Sequence, residues 1–181
     1  MSNISRRSFV TLVTASSTAL AMPSIAFGAK PKVVVIGGGA GGATAAKYIA
    51  KDSRGAIDVT LIEASKSYYS CFYSNLYLGN FRSYGSIGHS YDKLSSNHNI
   101  NVVHEWAVSV DATEKKVNLG SGASLPYDKL VISPGIDLKY NSINGYSVEA
   151  QTRIPHAWRS GTQVKVLKDQ VMKMKKGGTF V

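Results

Sequence analysis

The apolar run Val33-Val34-Val35-Ile36 breaks into Gly37-Gly38-Gly39-Ala40-Gly41-Gly42 and resumes as the helix-forming stretch Ala43 to Ala50. Nothing else in the chain restricts its fold as tightly. Gly37, Gly39 and Gly42 fall on the spacing G-x-G-x-x-G, with a strand before it and a helix after it. The first glycine permits a tight strand-to-helix turn, the second lets a pyrophosphate approach the backbone, and the third lets helix and sheet pack closely. Unpaired N–H groups at the start of the helix then favour an anion without any basic side chain, and Ala40 and Gly41, within the glycine turn, are counted with the cofactor-binding residues. Val59-Thr60-Leu61-Ile62 predicts a second strand. Glu63, followed by Ala64, stands about 20 residues beyond the last glycine, where an acid accepts ribose hydroxyls. The pattern predicts an adenine-dinucleotide cradle in an α/β, Rossmann-like, doubly wound parallel sheet. It leaves FAD and NAD open.

Ahead of the cradle, Ser5-Arg6-Arg7-Ser8-Phe9-Val10 precedes an apolar stretch from Thr11 to Met22, and Ala26-Phe27-Gly28-Ala29 supplies small residues for cleavage. Residues 1–29 are therefore expected to be a twin-arginine export signal that delivers the protein to the periplasm. The apolar stretch falls short of the roughly 20 residues that span a bilayer, so no transmembrane anchor is expected once the signal is removed. Because the twin-arginine route carries folded cargo, a cofactor acquired before crossing, such as a flavin, suits it. About 150 residues then remain, enough for one domain but not for a complete two-domain flavoenzyme. Residues 30–158 are expected to form the dinucleotide-binding domain. Lys176-Gly177-Gly178-Thr179-Phe180-Val181 reads as a helix cap and the opening of another strand, so residues 159–181 are expected to begin an incomplete second domain of a truncated chain.

The formal charge of +10 falls only to +8 when Arg6 and Arg7 leave, and a local cause is visible. From Ser160 to Lys176, Val164, Leu167, Val171 and Met174 recur at helical spacing, while Lys165, Lys168, Lys173, Lys175 and Lys176 largely take the other face. That predicts an amphipathic helix with a solvated lysine face. No aromatic interleaving or recognition motif points to nucleic acid. The four histidines His89, His98, His104 and His156 show no metal-pair spacing and read as packed or surface residues. Cys71 is the one cysteine, which excludes an internal disulfide, a C-x-x-C-H haem attachment and a structural zinc cluster. Short strands are predicted at Ala107 to Asp111, Lys116 to Asn118, Ser124 to Tyr127 and Lys129 to Ser133, a small antiparallel meander returning to the main sheet. Asn101 to His104 predicts a further parallel strand.

Around the cysteine, Tyr68-Tyr69-Ser70-Cys71-Phe72-Tyr73-Ser74-Asn75-Leu76 resembles the flavin-attachment segment of the flavoprotein subunit of flavocytochrome c sulfide dehydrogenases. The resemblance continues through Ser86 to Asp92, Val102 to His104, Tyr127 to Ile136 and Ile154 to Trp158. It implies FAD, joined by a thioether to Cys71, with Asn75 part of the same motif, and electrons passing from sulfide to a c-type cytochrome subunit. More broadly it implies the two-dinucleotide-domain flavoproteins of the glutathione reductase class. In that class a turn like Ser133-Pro134-Gly135 approaches the flavin diphosphate, and the backbone at Ala107 would flank the adenine. The family's two redox-active disulfide cysteines have no counterpart in these 181 residues, so no catalytic residue is assigned. Two other readings stay open: an NAD(P)H-dependent reductase of the same class with an unmodified Cys71, and a non-catalytic flavin-binding remnant. The tyrosines from Tyr68 to Tyr91 are candidates for a wall of the flavin site or for core packing.

Overall fold

In a computed structural model, residues 28–140 and 142–179 are described. Arg6, Arg7, the apolar stretch that follows them, and Phe180 and Val181 lie outside the described residues. Four parallel strands carry the fold: β1 (Lys32–Ile36), β2 (Asp58–Ile62), β5 (Asn101–Val103) and β9 (Lys129–Ile132), in the order β5-β2-β1-β9. β1 sits between β2 and β9, its Val35 opposite Leu61 on one side and Val131 on the other. An unbroken apolar run suits such a strand, because successive side chains point to opposite faces and both faces are covered.

On one face, Val33 and Val35 of β1 and Val59 and Leu61 of β2 meet Ala46 of helix α1 (Ala40–Asp52), together with Tyr91 and Ile100. Leu94 of α3 (Asp92–His98) packs against this group. The alternate residues Val34 and Ile62 face Val117 and Leu119 on the other side. These belong to β7 (Lys116–Leu119), the middle strand of an antiparallel sheet with β6 (Ala107–Asp111) and β8 (Ser124–Pro126). The expected meander is therefore three strands laid over the parallel sheet, and β9 leaves it to pair with β1.

Between β2 and β5 the chain adds a hairpin of β3 (Ser67–Tyr69) and β4 (Gly88–Ser90), enclosing a 3-10 turn at Cys71–Tyr73 and the short helix α2 (Ser74–Leu78). The amphipathic helix is α4 (Thr162–Lys173), shorter than expected at both ends. Met174, assigned to its apolar face from spacing, turns extended (ψ 135) and lies outside the helix. Val164 packs with Tyr77 and Ile87, so α4 joins the same compact unit as the sheet, and the boundary expected after residue 158 is crossed by that contact. The lysine face is also not wholly solvated. Lys168 Nζ lies 4.4 Å from the centre of the Tyr77 ring and Lys165 Nζ 5.3 Å from that of Tyr84, close enough for cation–π attraction.

Candidate functional site

Three chain segments meet at the carboxyl ends of the parallel strands, held by hydrogen bonds that extend the sheet one residue further. Gly37 N–H donates to Ile62 C=O (2.8 Å), Ser133 N–H to Ile36 C=O (2.8 Å) and Glu63 N–H to Val103 C=O (3.0 Å). This places the glycine turn, the acid after β2 and the Ser133-Pro134-Gly135 turn side by side. Ligands of open α/β sheets bind at this end.

The glycines of the turn have different neighbours. A Cβ on Gly42 would lie 1.8 Å from the Gly37 carbonyl oxygen, and one on Gly37, whose φ is +97°, would lie 2.0 Å from that of Ser133. Both are fixed by protein packing. At Gly39 the nearest protein atom to an added Cβ is Tyr68 Cε2, at 3.9 Å. No side chain caps the helix at Gly39, and its first turn carries no acid. Protein packing therefore leaves the second glycine of the motif free of contact, beside helix N–H groups suited to an anion. A diphosphate fits that space chemically.

A hollow of about 390 Å³ opens there, lined by Gly37, Gly39, Ala40, Glu63, Tyr68, Tyr69, Cys71, Ser133, Pro134 and Gly135, with Trp158 and Arg159 also on its wall. Most of the predicted site residues are thus gathered by the fold. Gly42 lies behind the turn, and Gly41 beside Ser133, whose Oγ would be 3.0 Å from a Cβ there. Asn75 is exposed on α2 and does not line the hollow. Ala107 does not line it either: it pairs with Leu119 and packs in the cluster beneath the meander. Ala64, half-buried, is likewise absent from the lining. A larger hollow of about 650 Å³ lies at the opposite end of the strands, near Lys32, Asp58, Asn101 and Pro126. Size alone favours it, but it contains none of the glycine turn and sits at the amino ends of the strands.

Glu63 is held by backbone on both oxygens. Gly38 N–H donates to Oε2 and Ser65 N–H to Oε1, each at 2.8 Å. His104 Nδ1 lies 3.0 Å from the Glu63 carbonyl oxygen. Cys71 is half-buried and opens the 3-10 turn, where the Ser74 hydroxyl donates to its carbonyl oxygen (2.7 Å). Tyr68 links the two regions: its hydroxyl faces the Ala40 backbone at the helix start and Ser70, and burial, then the neighbouring Cys71, push its phenol above the usual value. Arg159 pairs with Asp137 beside the hollow. The Leu138 N–H and then Arg159 hold the Asp137 carboxyl below its ordinary value.

The tyrosine-rich stretch divides between both of its expected uses. Tyr68 and Tyr69 line the hollow. Tyr69 also stacks on Tyr84 (4.6 Å between centres), Tyr77 meets Tyr84 edge-on, and the Tyr84 hydroxyl accepts a bond from Gly161 N–H, which seats α4. Tyr91 serves both uses at once: it is buried in the core beneath the glycine turn and also borders the hollow. His156 contacts Gln151 and the Trp158 N–H, and burial, reinforced by Arg159, lowers its affinity for a proton. Among the described residues no three His, Cys, Asp or Glu side chains are grouped to hold a metal, and no helix is long and apolar enough to cross a membrane.

A family model described as pyridine nucleotide-disulphide oxidoreductase matches residues 31–174. Among solved structures, the chain is similar to the sulfide:quinone oxidoreductase of the hyperthermophilic bacterium Aquifex aeolicus, with 25% identity and a TM-score of 0.61 over 79% of this chain and 33% of that one. It is also similar to an NAD-dependent persulfide reductase from A. fulgidus, with 26% identity and a TM-score of 0.63 over 78% of this chain and 27% of that one. The reduced CoADR-RHD of Bacillus anthracis, 20% identical, covers 80% of this chain and 27% of its own with a TM-score of 0.59, a likeness of fold alone. The chain spans a third or less of the length of each of these proteins.

Proposed function

The chain belongs to the pyridine nucleotide-disulphide oxidoreductase family, and from that premise we propose that the hollow at the carboxyl ends of its strands holds FAD as part of a flavin-dependent oxidoreductase. One observation carries this reading most directly: Gly39 has open space over an uncapped helix start, while Gly37 and Gly42 are enclosed by protein. The N–H groups at the start of α1 would take the diphosphate, Glu63 the ribose hydroxyls, and the Ser133-Pro134-Gly135 turn would flank the cofactor from β9. When bound, the flavin supplies two-electron acceptance and stepwise electron release. The protein's part is to bind it, orient it and wall it with Tyr68 and Tyr69.

The finer reading is an exported sulfide-oxidising flavoprotein, with FAD anchored through Cys71 and electrons leaving to a c-type cytochrome. Its support is the sequence resemblance around Cys71, the Arg6-Arg7 pair ahead of an apolar stretch, the position of Cys71 on the wall of the same hollow as the glycine turn, and the likeness to a sulfide:quinone oxidoreductase. The likeness to an NAD-dependent persulfide reductase favours a second reading, in which NAD(P)H is the donor and Cys71 stays free. Denaturing the purified protein in acid separates them. Flavin fluorescence is expected to travel with the precipitated polypeptide. Flavin left wholly in the supernatant, with the native protein bleached by NADH and not by sulfide, would assign the second reading.

A further inference from the structure

Gly38 is one of two glycines of the turn, with Gly41, that the G-x-G-x-x-G pattern leaves unspecified, yet it is gripped from two directions. Its N–H donates to Glu63 Oε2 (2.8 Å), and its carbonyl oxygen accepts from the Tyr91 hydroxyl (3.0 Å). A Cβ at Gly38 would lie 2.7 Å from Tyr91 Cε1, 2.7 Å from the Tyr91 hydroxyl and 2.8 Å from Glu63 Cγ, so both side chains close on it. Tyr91 is only 5% exposed, and its ring packs among Val33, Val35, Ala46 and Leu61. Its hydroxyl is thus fixed by the hydrophobic core, 53 residues along the chain from the turn. Burial first, then the charges of Glu63 and Tyr68, push its phenol well above the ordinary value, so it stays protonated and remains a donor at any physiological pH.

We propose that Tyr91 is a positioning residue for the dinucleotide cradle: by holding the Gly38 carbonyl it fixes the Gly38 N–H on Glu63 and so presents the carboxylate to the ribose hydroxyls. Glu63 uses one lone pair on each oxygen for the N–H groups of Gly38 and Ser65. Each oxygen keeps a further acceptor site for a hydroxyl. Without the Tyr91 hydroxyl the Gly38–Gly39 peptide loses this hold, the φ and ψ of Gly38 are less restrained, and the Gly38 N–H on the preceding peptide is held less firmly on Glu63, which keeps its bond from the Ser65 N–H. Tyr91 also borders the hollow, and its positioning role is exerted through Gly38.

The inference rests on the cradle reading, and two measurements keep their failures apart. In flavin-free Cys71→Ser protein, Tyr91→Phe is expected to speed hydrogen exchange at the Gly38 amide about tenfold, followed by NMR on protein labelled at glycine. Gly55 and Gly122, which have no neighbours within 4 Å of an added Cβ, serve as unchanged controls. Titration with ADP is expected to show about tenfold weaker binding in Tyr91→Phe, and little further loss when Tyr91→Phe is added to Glu63→Gln. Unchanged Gly38 exchange, or losses from the two substitutions that simply add, would overturn the clamp. ADP binding equally tight with and without the Tyr91 hydroxyl would overturn it too, while leaving the cradle intact. Failure of the unsubstituted cradle to bind ADP at all would overturn the cradle reading, and the clamp's purpose with it.

Discussion

Gly42→Ala is expected to lower stability by about 3 kcal/mol or more, whereas Gly39→Ala, three residues away, changes it by less than about 1 kcal/mol. A methyl at residue 42 would lie 1.8 Å from the Gly37 carbonyl oxygen. Gly37 has little room to retreat, because its N–H is bonded to Ile62 and its α-carbon is closed off by the Ser133 carbonyl. Residue 39 has φ −67° and no close protein neighbour, so alanine is tolerated by the fold. Its methyl instead occupies the approach to the helix N–H groups, and FAD affinity is expected to fall about 10- to 200-fold, the range for one misplaced methylene in a binding pocket. Urea unfolding and flavin titration of the two variants check both halves. If Gly39→Ala proved as destabilising as Gly42→Ala and bound FAD normally, the division of labour among the glycines would be wrong.

The second large effect concerns Cys71. Cys71→Ser is expected to abolish acid-stable flavin attachment completely while changing folding stability by less than about 1 kcal/mol, because the side chain is half-buried at a turn and serine is of similar size. Trypsin cuts after Lys66 and Arg82, so the attached flavin should appear on the single peptide Ser67–Arg82. Flavin on any other peptide, or attachment that survives Cys71→Ser, would remove the thioether assignment.

How far such a site is legible in a sequence depends on how local its causes are. The strands β1, β2 and β9 are readable because burial on both faces leaves apolar runs, and Glu63 is readable because its distance from the glycine turn follows from one helix and one strand. The start of α1 is less so. Helix propensity penalises glycine and favours a start at Ala43, yet the helix opens at Ala40, since Gly42 is the residue that lets it lie against the turn. The bond between Tyr91 and Gly38 stays hidden because it joins residues 53 apart, which no periodicity encodes. Asn75 and Ala107, both predicted site residues, do not stand on the wall of the hollow, because the short helix α2 and a β-strand direct them elsewhere. Lys165 and Lys168 mislead for a similar reason. Their charge says solvent, while the tyrosines that receive them are supplied by another segment.

Hydrogen exchange read by mass spectrometry, on flavin-free Cys71→Ser protein with and without added FAD, tests most directly where the dinucleotide binds. Protection is expected at Gly37 to Gly42, around Glu63 and at Ser133 to Gly135, the segments that meet at the carboxyl ends of the parallel strands. Protection confined to the larger hollow near Lys32, Asp58, Asn101 and Pro126, with the glycine turn unchanged, would contradict it.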